Sequence, residues 1–193
     1  MEEGAGKKRL FVAVPLPEAA HQALQQLQNQ MKAYARDAKW VNPTGIHLTL
    51  KFLGNVDPER ISLICGSLGT AAPHHSPVPL HIRGTGFFPN TRRPAVFWAG
   101  VESDGLPALQ EDVESRMASL AFEKENRPFS PHLTLARFRD PHGLLPLTPE
   151  AEKWKDFSFH QFTADRFCLF ESILHRTGAE YHVVQSFQLA GVP

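Results

Sequence analysis

Cysteine is scarce in this chain: there are 2 in 193 residues, Cys65 and Cys168, far apart and without metal-ligand spacing. A disulfide framework is therefore excluded as the organising device. One Cys65–Cys168 bridge and two buried free thiols both stay open, and free thiols are the expectation. Net charge is also missing, since 20 basic residues balance 20 acidic ones. A protein that grips long nucleic acid through many phosphates is usually more basic, so nucleic-acid contact should be local, at an end, a small ligand or a clustered basic patch. Long apolar runs are absent: Leu10–Leu16 is too short to span a bilayer. Residues 1–8 are polar and mixed in charge, with no signal-peptide run behind them. The expected setting is the cytoplasm, with no membrane partner. No Asp/His cluster has the spacing of a metal site, so neither a metal nor another cofactor is expected. No low-complexity linker divides the chain, and residues 1–193 are expected to form one compact, monomeric body.

What is present describes an ordinary globular protein, with 42% hydrophobic and 21% charged residues. Arg9–Pro15 reads as a strand. Pro17 opens a helix in which Ala20, Leu24, Leu27 and Met31 form an apolar stripe. Asn42-Pro43-Thr44-Gly45 is a turn signal, His47–Leu53 a strand ended by Gly54, and Asp57-Pro58 the start of a helix carrying Ile61, Ile64 and Leu68. Ala71–Pro79 reads as a loop between two halves. Leu80–Phe88 and Ala95–Val101 are strands, and Ser103–Asp104 caps a helix with Leu106, Leu109, Val113, Met117 and Leu120 inward. Then follow a strand over His132–Phe138, an irregular Pro141–Pro146, a short helix at Thr148, and closing strands over Gln161–Phe170 and Tyr181–Leu189. The order of elements in the first half is loosely echoed in the second. The fold class is α+β, with antiparallel sheets in two related lobes.

The echo is sharpest in the tetrapeptide His-Leu-Thr-Leu, which occurs at His47–Leu50 and again at His132–Leu135. Strand side chains alternate faces, so each His and its Thr point one way and the two Leu point into a core. Two imidazoles can supply a general acid and a general base near neutral pH. Thr49 and Thr134 can donate hydroxyl hydrogen bonds to an oxyanion. Lys51 lies on the His47 face if the strand stays regular, and could add charge to a phosphate site or be a solvated cation. Arg137, five residues after His132, falls on the wrong face of an unbroken strand, so a bulge would be needed to aim it at the site. His74 and His75 read as solvated loop histidines, while His21, His81, His142, His160 and His182 need no special role. Trp40, Phe52, Tyr181, Phe87 and Phe88 could stack on a base, though core packing is the commoner use of such residues.

With its context, the repeat resembles the 2H phosphoesterase superfamily and, within it, the RNA 2′,3′-cyclic phosphodiesterase family, historically called 2′-5′ RNA ligases. The likeness covers nearly the whole chain: Arg9-Leu10-Phe11-Val12-Ala13, Trp40-Val41, His47–Gly54, Gly86-Phe87-Phe88-Pro89, Arg93-Pro94, Phe97-Trp98-Ala99-Gly100, Arg127-Pro128-Phe129-Ser130-Pro131-His132 on to Arg137, Glu171-Ser172-Ile173-Leu174, Tyr181 and Phe187-Gln188-Leu189. The resemblance implies a bilobal fold with outer helices and the motifs facing across a central groove. It implies a hydrolase that opens RNA 2′,3′-cyclic phosphates to 2′-phosphomonoesters, with ATP-independent 2′-5′ joining as an associated activity. It makes His47 the proton donor, His132 the proton acceptor and Arg137 a phosphate ligand, without a metal. The partners expected are RNA ends or small cyclic-phosphate nucleotides. Two other readings remain: a related phosphodiesterase of 2′-5′ oligonucleotides or cyclic nucleotide phosphates, and a silent RNA-end binding module.

Overall fold

Both faces of the first strand are covered, which is why Leu10–Val14 reads as unbroken apolar sequence rather than alternation. In a computed structural model, which describes residues 6–35, 37–139, 146–175 and 178–190, that strand is β1 (Lys8–Val14). It is followed by α1 (Glu18–Met31), β2 (Lys39–Trp40), β3 (Leu48–Val56), α2 (Ile61–Ala71), β4 (Val78–Phe88), β5 (Val96–Glu102) and α3 (Leu106–Ser119). Then come β6 (His132–Arg137), α4 (Leu147–Glu152), β7 (Ser158–Ala164), β8 (Arg166–His175) and β9 (Gly178–Gln188).

The strands form two antiparallel sheets, ordered β3-β1-β8-β9 and β2-β6-β5-β4-β7. Leu10, Val12 and Val14 join a core cluster that also contains Leu133, Leu135 and Phe97 of the second sheet. Phe11 and Ala13, on the opposite face of β1, pack with Cys168, Phe170 and Tyr181 in a second cluster. The helices are exchanged between sheets. α1 follows β1 of the first sheet but packs on β7 of the second, whereas α3 follows β5 of the second and packs on β3 of the first. Among the described residues no helix is long and apolar enough to cross a membrane.

Three expectations change. The stretch read as one strand over Gln161–Phe170 is two: β7 pairs with β4 and β8 with β1, so the chain leaves one sheet for the other at Asp165. Continuous apolar sequence hides such a crossing, because both strands bury side chains. Gly54 does not end β3, which runs on to Val56; its φ of +71° is taken up at an irregularity where Leu53 is skipped in the pairing with β1. Cys65 is half-buried rather than buried, and both thiols are free. The irregular stretch expected over Pro141–Pro146 falls, with His142, almost wholly outside the described residues.

Candidate active site

Each motif histidine is anchored by its own backbone. His47 Nδ1 lies 2.8 Å from the Gly45 carbonyl, and His132 Nδ1 lies 2.7 Å from the Ser130 carbonyl. A carbonyl only accepts, so both hydrogen bonds assign the neutral ring's proton to Nδ1 and leave Nε2 for chemistry. The turn before His47 is tightened by Asn42, whose side chain accepts from the Thr44 N–H at 3.3 Å. Gly45 lets the turn approach Tyr181 closely: a Cβ there would stand 3.2 Å from the ring and press on it.

The walls around the two rings are aromatic. His47 stacks on Phe11 with centroids 4.5 Å apart and meets the edge of Tyr181 at 4.8 Å. His132 meets Phe88 edge-on at 4.8 Å. Burial lowers the pKa of His47 to about 4, helped by Arg137 and opposed by the Gly45 hydrogen bond. Burial also holds His132 below the usual histidine value, again with a contribution from Arg137. One guanidinium thus acts on both imidazoles, and β3 and β6 touch although they belong to different sheets. The two motifs converge on a shared groove.

Register explains which other side chains reach that groove. Thr49 pairs with Ala13 and Thr134 with Trp98, on the faces that carry Phe11 and Phe88. Among the described residues neither threonine hydroxyl has a protein partner. Between β1 and β3 the pairing passes from Ala13↔Thr49 to Val12↔Lys51, leaving Leu50 extra; this bulge reverses the alternation. Lys51 consequently shares the face of Val12, is 6% exposed, and gives its ammonium to Glu114 at 2.6 Å and to the Glu123 carbonyl. The placement of Lys51 beside His47 as a substrate ligand is therefore corrected. Phe52 takes the groove position instead, 62% exposed and 6.1 Å from the Phe11 ring.

An equivalent bulge occurs in β6, where Phe97↔Ala136 and Trp98↔Thr134 leave Leu135 extra. It restores Arg137 to the face of His132 and Thr134. Of the other aromatic candidates, Tyr181 and Phe88 line the groove, while Trp40 and Phe87 pack on Phe97 in the core. Trp98 was not singled out as a site residue in the sequence, yet it lies over Gly86, where a Cβ would stand 2.3 Å from the indole.

Two glutamines were also illegible as site residues. Gln28, fully buried on α1, donates from Nε2 to the Leu135 carbonyl at 3.0 Å and to the Val41 carbonyl at 2.8 Å. Gln110 on α3 donates to the Leu50 carbonyl at 3.4 Å. Each exchanged helix thus holds the bulge of the opposite motif. A signal for Gln28 existed: it follows Leu24 by four residues, on the buried stripe of α1. His75 is not a solvated loop residue, since its Nε2 lies 3.0 Å from Asp112. Among the described residues no group of three or more His, Cys, Asp or Glu is arranged to hold a metal ion.

A family profile described as "LigT like Phosphoesterase" matches residues 14–98 and 100–181. The chain is 31% identical over 188 residues to an RNA 2′,3′-cyclic phosphodiesterase of Geobacillus stearothermophilus, covering 97% of this chain and 59% of that protein. It is also 31% identical over 179 residues to a protein of the same name from Methanocaldococcus jannaschii, covering 93% of this chain and 99% of that one. The crystal structure of TT0787 of Thermus thermophilus superposes with a TM-score of 0.81 at 32% identity, covering 95% of this chain and 98% of the other.

Proposed function

The chain belongs to the LigT-like phosphoesterase family, and from that membership we propose that it hydrolyses 2′,3′-cyclic phosphate ends of RNA to 2′-phosphomonoesters. The observation that carries the reading is the matched pair of imidazoles. Both are tied at Nδ1 to the carbonyl two residues before, both present Nε2, and both sit in the field of Arg137.

In the proposed reaction His132 Nε2 takes a proton from water as the water oxygen bonds to phosphorus. His47 Nε2 gives a proton to the leaving 3′-oxygen as that P–O bond breaks. The 2′-phosphate remains, and proton exchange with solvent resets the pair. Thr49, Thr134 and Arg137 donate to the non-bridging oxygens, where charge grows. Each proton transfer of this kind contributes typically about 10² to 10⁴ in rate. Burial keeps both rings neutral near pH 7 in the free enzyme; the bound phosphodiester anion favours the imidazolium and readies His47 to donate. Histidine moves the protons and Arg137 with the threonines meets the charge, so the reading requires no metal. Phe52, Phe88 and Tyr181 give a base apolar surface on which to stack.

The test is product analysis on an oligonucleotide ending in a 2′,3′-cyclic phosphate, in chelator, with the wild type and with His47→Ala and His132→Ala. A 2′-phosphate product that needs both histidines is expected. Absence of turnover by the wild type, or loss of it in chelator, would overturn the reading. Substantial turnover by either variant would remove the paired-histidine mechanism.

A further inference from the structure

The neutral total charge hides a segregated one. Arg137 closes β6 on the groove side, and Lys39 of β2 stands directly opposite it in the ladder. Directly opposed strand residues share a face, so Lys39 flanks Arg137 toward the groove. On the other side Val96 opposes Arg137, and the Ala95 carbonyl accepts from the Phe138 N–H at 3.0 Å. The connection from β4 to β5, residues 89–95, therefore lies beside the end of β6. It carries Arg92 and Arg93, whose backbone N–H groups donate to Asn90 Oδ1 at 2.9 and 3.1 Å and fix the turn. Arg139 follows two residues after Arg137, just beyond the end of β6.

Lys39, Arg92, Arg93, Arg137 and Arg139 are all exposed, and among the described residues none of their charged groups has an ion-pair or hydrogen-bond partner. Among the described residues most cations elsewhere have a partner, as Lys8 has Glu171, Lys51 has Glu114, Arg116 has Asp112, Arg127 has Glu125 and Lys153 has Glu150; Arg9 and Lys124 are the exceptions. Unpaired cations gathered at one end of a groove, in line with His132, Thr134 and Arg137, suit a polyanion that continues beyond the reacting phosphate.

We propose that Lys39, Arg92, Arg93 and Arg139 form a tract for the sugar–phosphate backbone of single-stranded RNA leading to the cyclic end. The tract rests on the proposed phosphodiesterase reading and adds to it: the substrate is an oligonucleotide end rather than a free cyclic mononucleotide. It reads charge and not bases, so it is indifferent to sequence.

The experiment compares kcat/KM for a nucleoside 2′,3′-cyclic monophosphate with that for an oligonucleotide ending in the same cyclic nucleotide. It uses the wild type and a variant carrying Lys39→Ala, Arg92→Ala, Arg93→Ala and Arg139→Ala. The wild type is expected to favour the oligonucleotide by roughly tenfold or more at about 50 mM salt, and to lose much of that advantage at about 200 mM. The variant should keep mononucleotide turnover while losing the preference. Its binding of a labelled 2′-phosphate oligonucleotide, followed by anisotropy, should show a log–log salt slope smaller by up to about 3, at about 0.7 per phosphate on a single strand. Equal use of both substrates by the wild type would overturn the tract, as would equal slowing of both by the variant. Failure of the wild type to turn over either substrate would instead sink the underlying reading. Unchanged anisotropy in the variant would then still eliminate the tract by itself.

Discussion

The strand after His47 and the strand after His132 begin alike and end differently. Both tie Nδ1 to the carbonyl two residues earlier, both present a threonine, and both bulge at the second leucine. The bulge swings the fifth residue after each histidine into the groove, and there the copies part: Phe52 on one wall, Arg137 on the other. The fourth residue is turned inward in both, as Lys51 paired with Glu114 and as Ala136 in the core. The repeated tetrapeptide thus sets backbone geometry and imidazole presentation, while the residues just beyond it divide the labour. One wall offers apolar surface, the other a charge. A second guanidinium in place of Phe52 would face Arg137 across the groove and depress both imidazoles further.

The strongest test of the equivalence between the copies is to remove each histidine. His47→Ala and His132→Ala should each lower single-turnover hydrolysis of a cyclic-ended RNA by about 10³-fold or more, with melting temperatures little changed. Because the two act as one unit, the double variant should fall no more than about tenfold below the worse single one. Multiplied losses would mean that the rings work independently.

Lys51 and Arg137 look interchangeable in sequence, since both are cations beside a phenylalanine just after a motif. Lys51→Met should destabilise the fold by about 3 kcal/mol, because it removes the cation from the mostly buried Glu114 carboxylate and leaves it only the Glu125 N–H and Gln110 Nε2 as donors. Its kcat/KM, measured where the variant is folded, should stay within about twofold of the wild type. A large activity loss at unchanged urea midpoint would show that Lys51 faces the substrate after all.

Arg137→Ala should do the opposite, leaving stability alone and lowering kcat/KM by about 10²-fold, or roughly 2.7 kcal/mol. It should also move the pH profile. The productive free enzyme carries one proton on the imidazole pair, so kcat/KM falls as pH rises past the upper of the two pKa values. Both values lie below the ordinary 6.5, His47 at about 4, and Arg137 helps to hold them there. Removing that positive charge raises both, so the falling limb should shift to higher pH. An unshifted limb would place Arg137 too far away to act on the rings.

These differences mark where sequence reading reached its limit. Element types, the apolar stripes of α1 and α3 and the paired histidines follow from local patterns of period 2 and 3.6, and the family resemblance added the facing motifs. Lys51 was misplaced because a bulge is one extra residue, invisible in composition, that inverts every face beyond it. For Arg137 the same inversion was required in advance, since its offset of five puts it wrong otherwise. The exchange of α1 and α3 between sheets, and the division of 161–170 between β7 and β8, depend on long-range pairing that no local window contains.

The glutamines supply the smallest effects and the finest comparison. Gln28 makes two hydrogen bonds of 2.8 and 3.0 Å to the carbonyls flanking the second bulge, whereas Gln110 reaches the first through one bond of 3.4 Å. Leu135 keeps a second donor, the Val41 N–H at 2.9 Å, and the Gln28 Oε1 is itself buried without a partner among the described residues. Gln28→Leu should therefore cost only about 1 kcal/mol of stability, and Gln110→Leu a few tenths. If Gln28 acts by keeping the bulge that aims Arg137, its replacement should lower kcat/KM severalfold in the wild type and scarcely at all in an Arg137→Ala background. Gln110→Leu, which supports the wall carrying Phe52, should lower activity by a similar factor in both backgrounds. Additive losses for Gln28 and Arg137 in that double-mutant cycle would reduce Gln28 to a core residue and leave the bulge held by the ladder alone.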